Sequence, residues 1–542
     1  MKADIIITGK AIFDAVSDEP FEGFVAVKGN EIADVVKGNF DYDSWTDEHT
    51  EVIECGDKLV MPGMIDAHMH FFAGAFQNSQ YMCRDLFDCM SAKECIDTIK
   101  RFADEHPEYD RIAGMGWYIP QWDDLTEPDR YMLDEIEPDR PVYLLCADGH
   151  SYWLNSRALE ECGISADRKL KVGSVDVDEN GVLTGLMHEM EICAPCTFYA
   201  QRLPKELKEG LLVDMIDDLN RCGITATTDM AVLLEPEPQA DRDEIEIIGR
   251  LEQEGRLNVR LNMYPSLGTT DDFSLAESYR EKYHSDKFRV AGLKTFVDGV
   301  HGNHTALLID PYSDMPGERG KSFYPYEVYR DQVTAANRAG FGVKLHTIGE
   351  GASRLALDAF AESHRQGLDS DVRNSMEHIE TIRMEDLKRL AEFDVTAAIQ
   401  PSHLMYSAES LQEKVGPERA RLEFALKTML ENGVNVAFST DYPVVPYEPM
   451  TNIYFAVTRC DLEGNPVEKE LAENITLAQA LRAYTAGSAY CLNMDKKIGT
   501  IEKGKLADIV MFDRNLFDIE AKELLDAKIE LTVADGKIVY RA

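Results

Sequence analysis

Six side chains with metal-binding or acid–base chemistry lie on or at the ends of strand-like runs of this sequence: His68, His70, Lys294, His346, His378 and Asp441. In His68-Met69-His70, alternating positions of an extended chain put both imidazoles on one face. Two imidazoles so placed suit one divalent metal. A lone His-x-His is as readily a pair of ordinary hydrogen-bonded histidines. Taken singly, His346 or His378 reads as a core histidine, and Asp441 as a cap or turn residue. Taken together they form a set of ionisable groups that need partners when buried, and a divalent cation is such a partner. Lysine needs separate treatment, because an ammonium has no lone pair to give a metal.

The elements that position these groups are repeated strand-then-helix units. The first run is the apolar stretch Leu59–His70. The others fall at 223–228, 258–263, 290–297, 342–346, 374–378, 395–400 and 435–440, which makes eight. Helical patterns intervene, for example 329–338 and 352–365. Eight such units predict an α/β fold, a (β/α)8 TIM barrel. The rival is an open doubly wound sheet, but the sequence has no Gly-x-Gly-x-x-Gly fingerprint to support a nucleotide fold. In a barrel, functional residues sit at the C-terminal strand ends. His68 and His70 then close strand one, Lys294 lies on strand four, His346 on five and His378 on six. His403 follows strand seven and Asp441 follows strand eight.

Residues 1–62 are β-rich, with Gly29-Asn30 as a hairpin turn. Residues 496–542 hold further strands and an Asp535-Gly536 turn. Both ends are expected to join in one small composite β-sandwich domain, with the barrel (63–495) between them and Pro62-Gly63 marking the passage. The gap from about 72 to 222 is too long for a structureless loop. It is expected to be an inserted subdomain over the active-site mouth, where lids and substrate pockets are built.

The charge balance, 98 acidic against 56 basic residues with a formal net charge of -42, repels nucleic acid and anionic lipid. No run approaches the roughly 18 apolar residues needed to span a membrane. The N-terminus lacks a signal peptide's apolar segment, and the 11 scattered cysteines fit a reducing compartment. The expectation is a cytoplasmic protein acting on a small molecule, without nucleic-acid or membrane partners.

The order His-x-His, Lys, His, His, Asp resembles the amidohydrolase superfamily, and the split terminal β domain is that superfamily's usual companion. More closely, the chain resembles amidohydrolase family 3, the YtcJ-like metal-dependent hydrolases related to N-substituted formamide deformylase. The stretches that carry this likeness span nearly the whole chain. They include Met61-Pro-Gly-Met-Ile-Asp-Ala-His-Met-His70, Gly114-Met-Gly-Trp117, Asp148-Gly-His-Ser-Tyr-Trp-Leu-Asn-Ser156 and Thr184-Gly-Leu-Met-His-Glu189. Asp298-Gly-Val-His-Gly-Asn-His-Thr-Ala306, Gln400-Pro-Ser-His403, Gly416-Pro-Glu-Arg-Ala420, Ser439-Thr-Asp-Tyr-Pro443 and Gly504-Lys-Leu-Ala-Asp508 complete it.

The resemblance implies one or two divalent metals per chain, with zinc the first choice; the same ligands also suit iron, manganese or cobalt. His68 and His70 bind one metal with Asp441. His346 and His378 serve a second metal or hold substrate. Lys294 ligates if carbamylated, as in many two-metal relatives; otherwise it pairs with Asp298 or with substrate. A bound metal lowers the pKa of water to about 7, Asp441 shuttles its proton, and metal with His378 polarises the carbonyl.

His150, His403, Trp117, Trp122, Glu189 and His304 are candidates to shape the substrate pocket. His301 and His304 depart from the small residues and arginine usual in relatives, and Glu350 replaces the usual aspartate at the start of a helix. The implied reaction is hydrolysis of an amide, N-acyl or N-formyl carbon–nitrogen bond. Its alternatives are deamination of a ring with one metal, and a non-catalytic ligand-binding barrel. Relatives are often dimers, so a homodimer is a further expectation.

Overall fold

The computed structural model describes residues 2–542 apart from 124–125, 148, 169, 171–172, 233, 235–241, 269–270 and 468–472. Asp148 of the Asp148-Gly-His150 stretch therefore lies outside the described residues. The chain packs into two compact units. The first is Met1–Phe71, Ile216–Leu234 and Glu246–Ala542; the second is Phe72–Met215 with Glu235–Ile245.

In the first unit, both chain ends share one seven-stranded sheet. Its order is Lys537–Arg541, Ile529–Ala534, Ile509–Phe512, Glu51–Pro62, Ile5–Ile12, Phe21–Lys28 and Glu31–Lys37. Strand alternation explains its core. Ile5, Ile7, Val25 and Val27 pack with Val60, Ile509, Leu531 and Val533, while Ile6, Phe24 and Ala26 cover the opposite face. Its Asp535-Gly536 turn has φ of 53° and 74°, the conformation a two-residue hairpin requires. Buried Arg260 ties this sheet down, donating from Nε to Asp508 Oδ2 (2.7 Å) and from Nη2 to Asp508 Oδ1 and Asp535 Oδ1 (both 3.0 Å).

The apolar stretch Leu59–His70 is not one strand: Leu59–Met61, on the terminal-domain side of Pro62-Gly63, belongs to the terminal sheet. Leu59 pairs with Ala11, and Met61 with Val510. The regular pairing with the strand Ile224–Val232 is made by Met64–Ile65. Gly63 permits the change of sheet: a Cβ there would stand 2.2 Å from Thr225 Oγ1.

Two further sheets carry the strand ends of interest. One is ordered Phe288–Val290, Arg260–Pro265, Ile224–Val232, Met64–Ile65. The other is ordered Gly292–Phe296, Gly342–Thr347, Asn374–His378, Val395–Ile399, Val436–Phe438. Every neighbouring pair is parallel. The run read as one strand, 290–297, is divided at Ala291, so its halves serve different sheets. Backbone bonds link the two sheets at both margins. Leu267 N donates to Lys294 O (2.7 Å) at one, and Ala67 N donates to Phe438 O (3.2 Å) at the other. The helices Tyr326–Arg338, Glu350–Arg365, Met384–Glu392 and Leu426–Glu431 alternate with the strands.

The second unit is built on a six-stranded mixed sheet: Ser174–Val177, Leu183–His188, Ser151–Leu154, Val142–Cys146, Ile112–Trp117 and Met82–Cys83. Trp117, Trp122 and Trp153 lie in its hydrophobic core with Ile99, Leu133 and Leu144. Among the described residues no helix is long and apolar enough to cross a membrane.

Candidate metal centre

His68 and His70 reach the same oxygen. Both Nε2 atoms lie 3.3 Å from Asp441 Oδ1. Regular strand ends at Ile65, so main-chain bonds to two neighbours hold this stretch extended. Asp441 N donates to His68 O (2.8 Å), His70 N to Tyr442 O (2.9 Å), and Met230 N to Met69 O (3.1 Å). Asp66 braces the same corner, accepting from His68 N (3.1 Å) and from Thr440 Oγ1 (2.6 Å). Burial pushes the Asp66 carboxyl up to about 7.

The donor atoms of His68, His70 and Asp441 lie within 4.8 Å of one another, and so do those of His378, His403 and Asp441. Asp441 belongs to both groups. Burial works against its charge, but His68 and His70 outweigh burial and hold it well below the usual carboxylate range. Burial, with His346 adding to it, depresses His378 and keeps that imidazole neutral. His378 Nδ1 bonds Gln400 Oε1 (2.9 Å), and Gln400 Nε2 in turn donates to Ser439 Oγ (2.7 Å). A neutral imidazole that donates from Nδ1 keeps its Nε2 lone pair for a ligand. Two of these residues sit at positive φ, His378 at 74° and Asp441 at 59°. Side chains other than glycine avoid this region, and such strain gathers at functional sites.

The second donor group adds a residue to the expected pair: His403 joins His378 and Asp441, while His346 stands beside His378. His346 turns Nε2 toward Gly299 O (3.4 Å), with its ring 4.5 Å from that of His378. Lys294 is 1 % exposed, and among the described residues its Nζ has no hydrogen-bond partner. The alternative Lys294–Asp298 pair is not formed. Asp298 instead accepts from the backbone N–H groups of Leu307, Ile348 and Gly349 (2.7–3.0 Å). Burial brings the Lys294 amine down to about 8.

The remaining candidates separate. His304 bonds Asp314 Oδ2 (2.9 Å) and meets the Tyr312 ring edge-on, so its ring is committed within its own loop. His301 is buried beside Thr381 Oγ1 (3.4 Å), and burial drops it to about 3. In the second unit, His150 Nδ1 lies 3.0 Å from Glu189 Oε2, and both are buried. Glu189 has φ 71°. Trp117 and Trp122, read as pocket walls, pack instead into that unit's core. Trp117 Nε1 donates to Leu144 O at 2.8 Å, and the two rings are 6.3 Å apart.

Sequence reading missed Glu377 and Lys344. Glu377 Oε2 lies 2.5 Å from His68 Nδ1, and its Oε1 bonds Lys344 Nζ (3.2 Å). Their position is the only signal: Glu377 is next to His378 and Lys344 is two residues before His346, each on a fully buried strand.

This donor chemistry fits a divalent metal. Imidazole nitrogens converge on a shared, ionised carboxylate in a buried site, which is a cation's environment.

Residues 51–540 match the family model described as "Amidohydrolase family". The chain is 27% identical to "Protein LONG AFTER FAR-RED 3" of Arabidopsis thaliana, over 99% of this chain and 92% of that protein. It is also 27% identical to "N-substituted formamide deformylase" of Arthrobacter pascens, over 90% of each. An uncharacterised metal-dependent hydrolase from Pyrococcus horikoshii OT3 aligns with a TM-score of 0.76 at 23% identity. That alignment covers 95% of this chain and 99% of the other, and the likeness is one of fold.

Proposed function

The chain belongs to the amidohydrolase family, and from that premise we propose that it hydrolyses a carbon–nitrogen bond, amide, N-acyl or N-formyl, in a small molecule. The observation that carries this reading is the convergence of His68 and His70 on one oxygen of Asp441. We read the two parallel sheets as one (β/α)8 barrel, supported by the backbone bonds at both margins. The seven-stranded terminal sheet is read as its companion domain. Among the described residues the 11 cysteines form no disulfide, which fits the reducing, cytoplasmic location we infer.

In this reading His68, His70 and Asp441 hold one divalent cation, zinc being the first choice. His378 and His403 extend the site on the other side of Asp441. When bound, the cation supplies Lewis acidity and an activated water. The chain's own residues do the rest. Asp441, ionised at neutral pH, accepts a proton at its carboxylate and returns it to the leaving nitrogen. His378, neutral and donating from Nδ1 to Gln400, acts as a ligand rather than a proton donor. Lys294 is read as the carbamate-forming lysine: burial brings its amine down to about 8, so a larger fraction than in a free lysine is the neutral, nucleophilic form that adds CO2. The strained backbone at His378 and Asp441 fixes both groups before substrate arrives.

The test is metal analysis of the wild-type chain and of His70→Ala, with a panel of N-formyl, N-acyl and cyclic amides. Two metals, a carbamylated Lys294 and turnover of an acyclic amide are expected. One metal, an unmodified lysine and release of ammonia from a ring substrate would instead identify a deaminase. Absence of bound metal after reconstitution would overturn both.

A further inference from the structure

We propose that Glu377 is a positioning residue for the metal centre, fixing the tautomer and ring angle of His68, with Lys344 as its built-in counter-ion. The inference deepens the hydrolase reading and rests on it.

The His68 ring is held at both edges. Nδ1 lies 2.5 Å from Glu377 Oε2, and Nε2 faces Asp441 Oδ1 at 3.3 Å. A carboxylate only accepts hydrogen bonds, so the Glu377 contact requires the imidazole proton on Nδ1. The Nε2 lone pair is then presented toward Asp441 and His70. Carboxylates placed behind metal-ligating histidines fix the tautomer and raise ligand basicity.

The carboxylate is itself held rigidly. Its Oε1 accepts from Ser375 Oγ and from Lys344 Nζ (3.2 Å). Lys344 Nζ also donates to Ser375 Oγ (3.2 Å) and contacts Cys491 Sγ (3.1 Å). Glu377 is 0% exposed and Lys344 is 1% exposed. A buried ion pair is weak evidence for stability, since an apolar pair of similar volume often serves as well. Packing therefore gives little reason for an acid and a base in this layer, whereas orientation of His68 gives one. His378 differs in its nearer support: its Nδ1 lies 2.9 Å from the neutral amide oxygen of Gln400 and 3.8 Å from Asp441 Oδ2.

The test uses the full chain loaded with zinc and competed against a chelator, with thermal unfolding measured in parallel. In Glu377→Gln the zinc dissociation constant is expected to rise about 10–100-fold. Activity should return when zinc is saturating. The charge-neutral double variant Glu377→Gln/Lys344→Met should keep the wild-type unfolding midpoint yet bind zinc as weakly as the single variant. A merely structural pair would not separate those two readouts. If neither variant folds, wild type decides. In 15N-histidine-labelled, zinc-loaded protein, a downfield Nδ1–H signal is expected, lost in His68→Asn. Unchanged zinc affinity in a folded variant, or a His68 proton on Nε2, would overturn the proposal. A wild-type chain that takes up no metal would overturn the hydrolase reading instead.

Discussion

Lys294 and Lys344 are direct register partners on neighbouring parallel strands, and both are buried. Glu377 bonds Lys344, while Lys294 Nζ has no hydrogen-bond partner among the described residues. Burial lowers the Lys294 amine to about 8, against the pull of Glu377 and Asp441 and with the push of Lys344. An unfolded lysine titrates near 10.4. Below pH 8 the folded chain must carry a charge that its surroundings disfavour. Between pH 8 and about 10.4 the unfolded chain holds more protons, so stability rises with pH.

Lys294→Met should therefore stabilise the metal-free chain by about 1–3 kcal/mol at pH 7. The advantage should shrink between pH 8 and 10. Urea unfolding in CO2-free buffer at three pH values measures this. A gap independent of pH would argue against a buried, unpaired ammonium.

Asp441→Asn keeps the shape of the shared ligand and removes its charge. His68 and His70 would then face an oxygen that neither carries a full charge nor takes up a proton. We expect kcat/KM to fall by about 1000-fold, within the range for losing a general acid–base group. Metal content should fall with it, while the unfolding midpoint stays close to wild type. Steady-state kinetics and metal analysis on the same preparation test both halves.

Much of the geometry is legible in the sequence, because the candidate residues lie at or a few residues beyond strand ends and strand period is a strong short-range signal. The structure brings His68, His70, His378 and Asp441 close together. The fourth strand was read as one run, yet Val290 and Gly292 serve different sheets. Periodicity carries no information about such a division, which hydrogen-bond partners decide. Equivalent strand ends put His346 beside His378, with the rings 4.5 Å apart, but they do not set where a ring nitrogen turns: His346 Nε2 lies 3.4 Å from Gly299 O. Trp117 and Trp122 were assigned to a pocket because aromatic residues suit either a wall or a core, and composition alone does not choose. Glu377 escaped notice beside the more conspicuous His378, although a lone acid in a buried strand calls for a partner.

Asp298 gives a prediction about the loops over the strand ends. Its carboxylate accepts three backbone N–H groups, from Leu307, Ile348 and Gly349. The first lies in the loop after Lys294, and the other two precede the helix Glu350–Arg365. Asp298→Asn offers one acceptor oxygen where these donors use two, and turns an amide N–H2 toward one of them. A loss of about 2–3 kcal/mol is expected, since hydrogen bonds to a charged acceptor are the stronger ones and buried donors left unmet are costly. Chemical denaturation measures the loss. Faster amide exchange confined to Leu307, Ile348 and Gly349 would place it at this carboxylate.

Gly63 is where the chain leaves the terminal sheet and runs toward His68, so crowding there tests how the centre is delivered. A Cβ at this position would lie 2.2 Å from Thr225 Oγ1 and 2.5 Å from Thr225 Cγ2. Thr225 is buried on the strand that pairs with Met64–Ile65, so it has little room to yield. Gly63→Ala should cost about 1–3 kcal/mol, as overpacking does. Thr225→Ala removes the two nearest atoms and leaves its Cβ, which would stand 2.9 Å away. The cost of Gly63→Ala should therefore fall in the Thr225→Ala background without vanishing. A double-mutant cycle by denaturant unfolding gives that coupling directly. Strict additivity would mean that the strain lies elsewhere along the passage from Pro62 to Asp66.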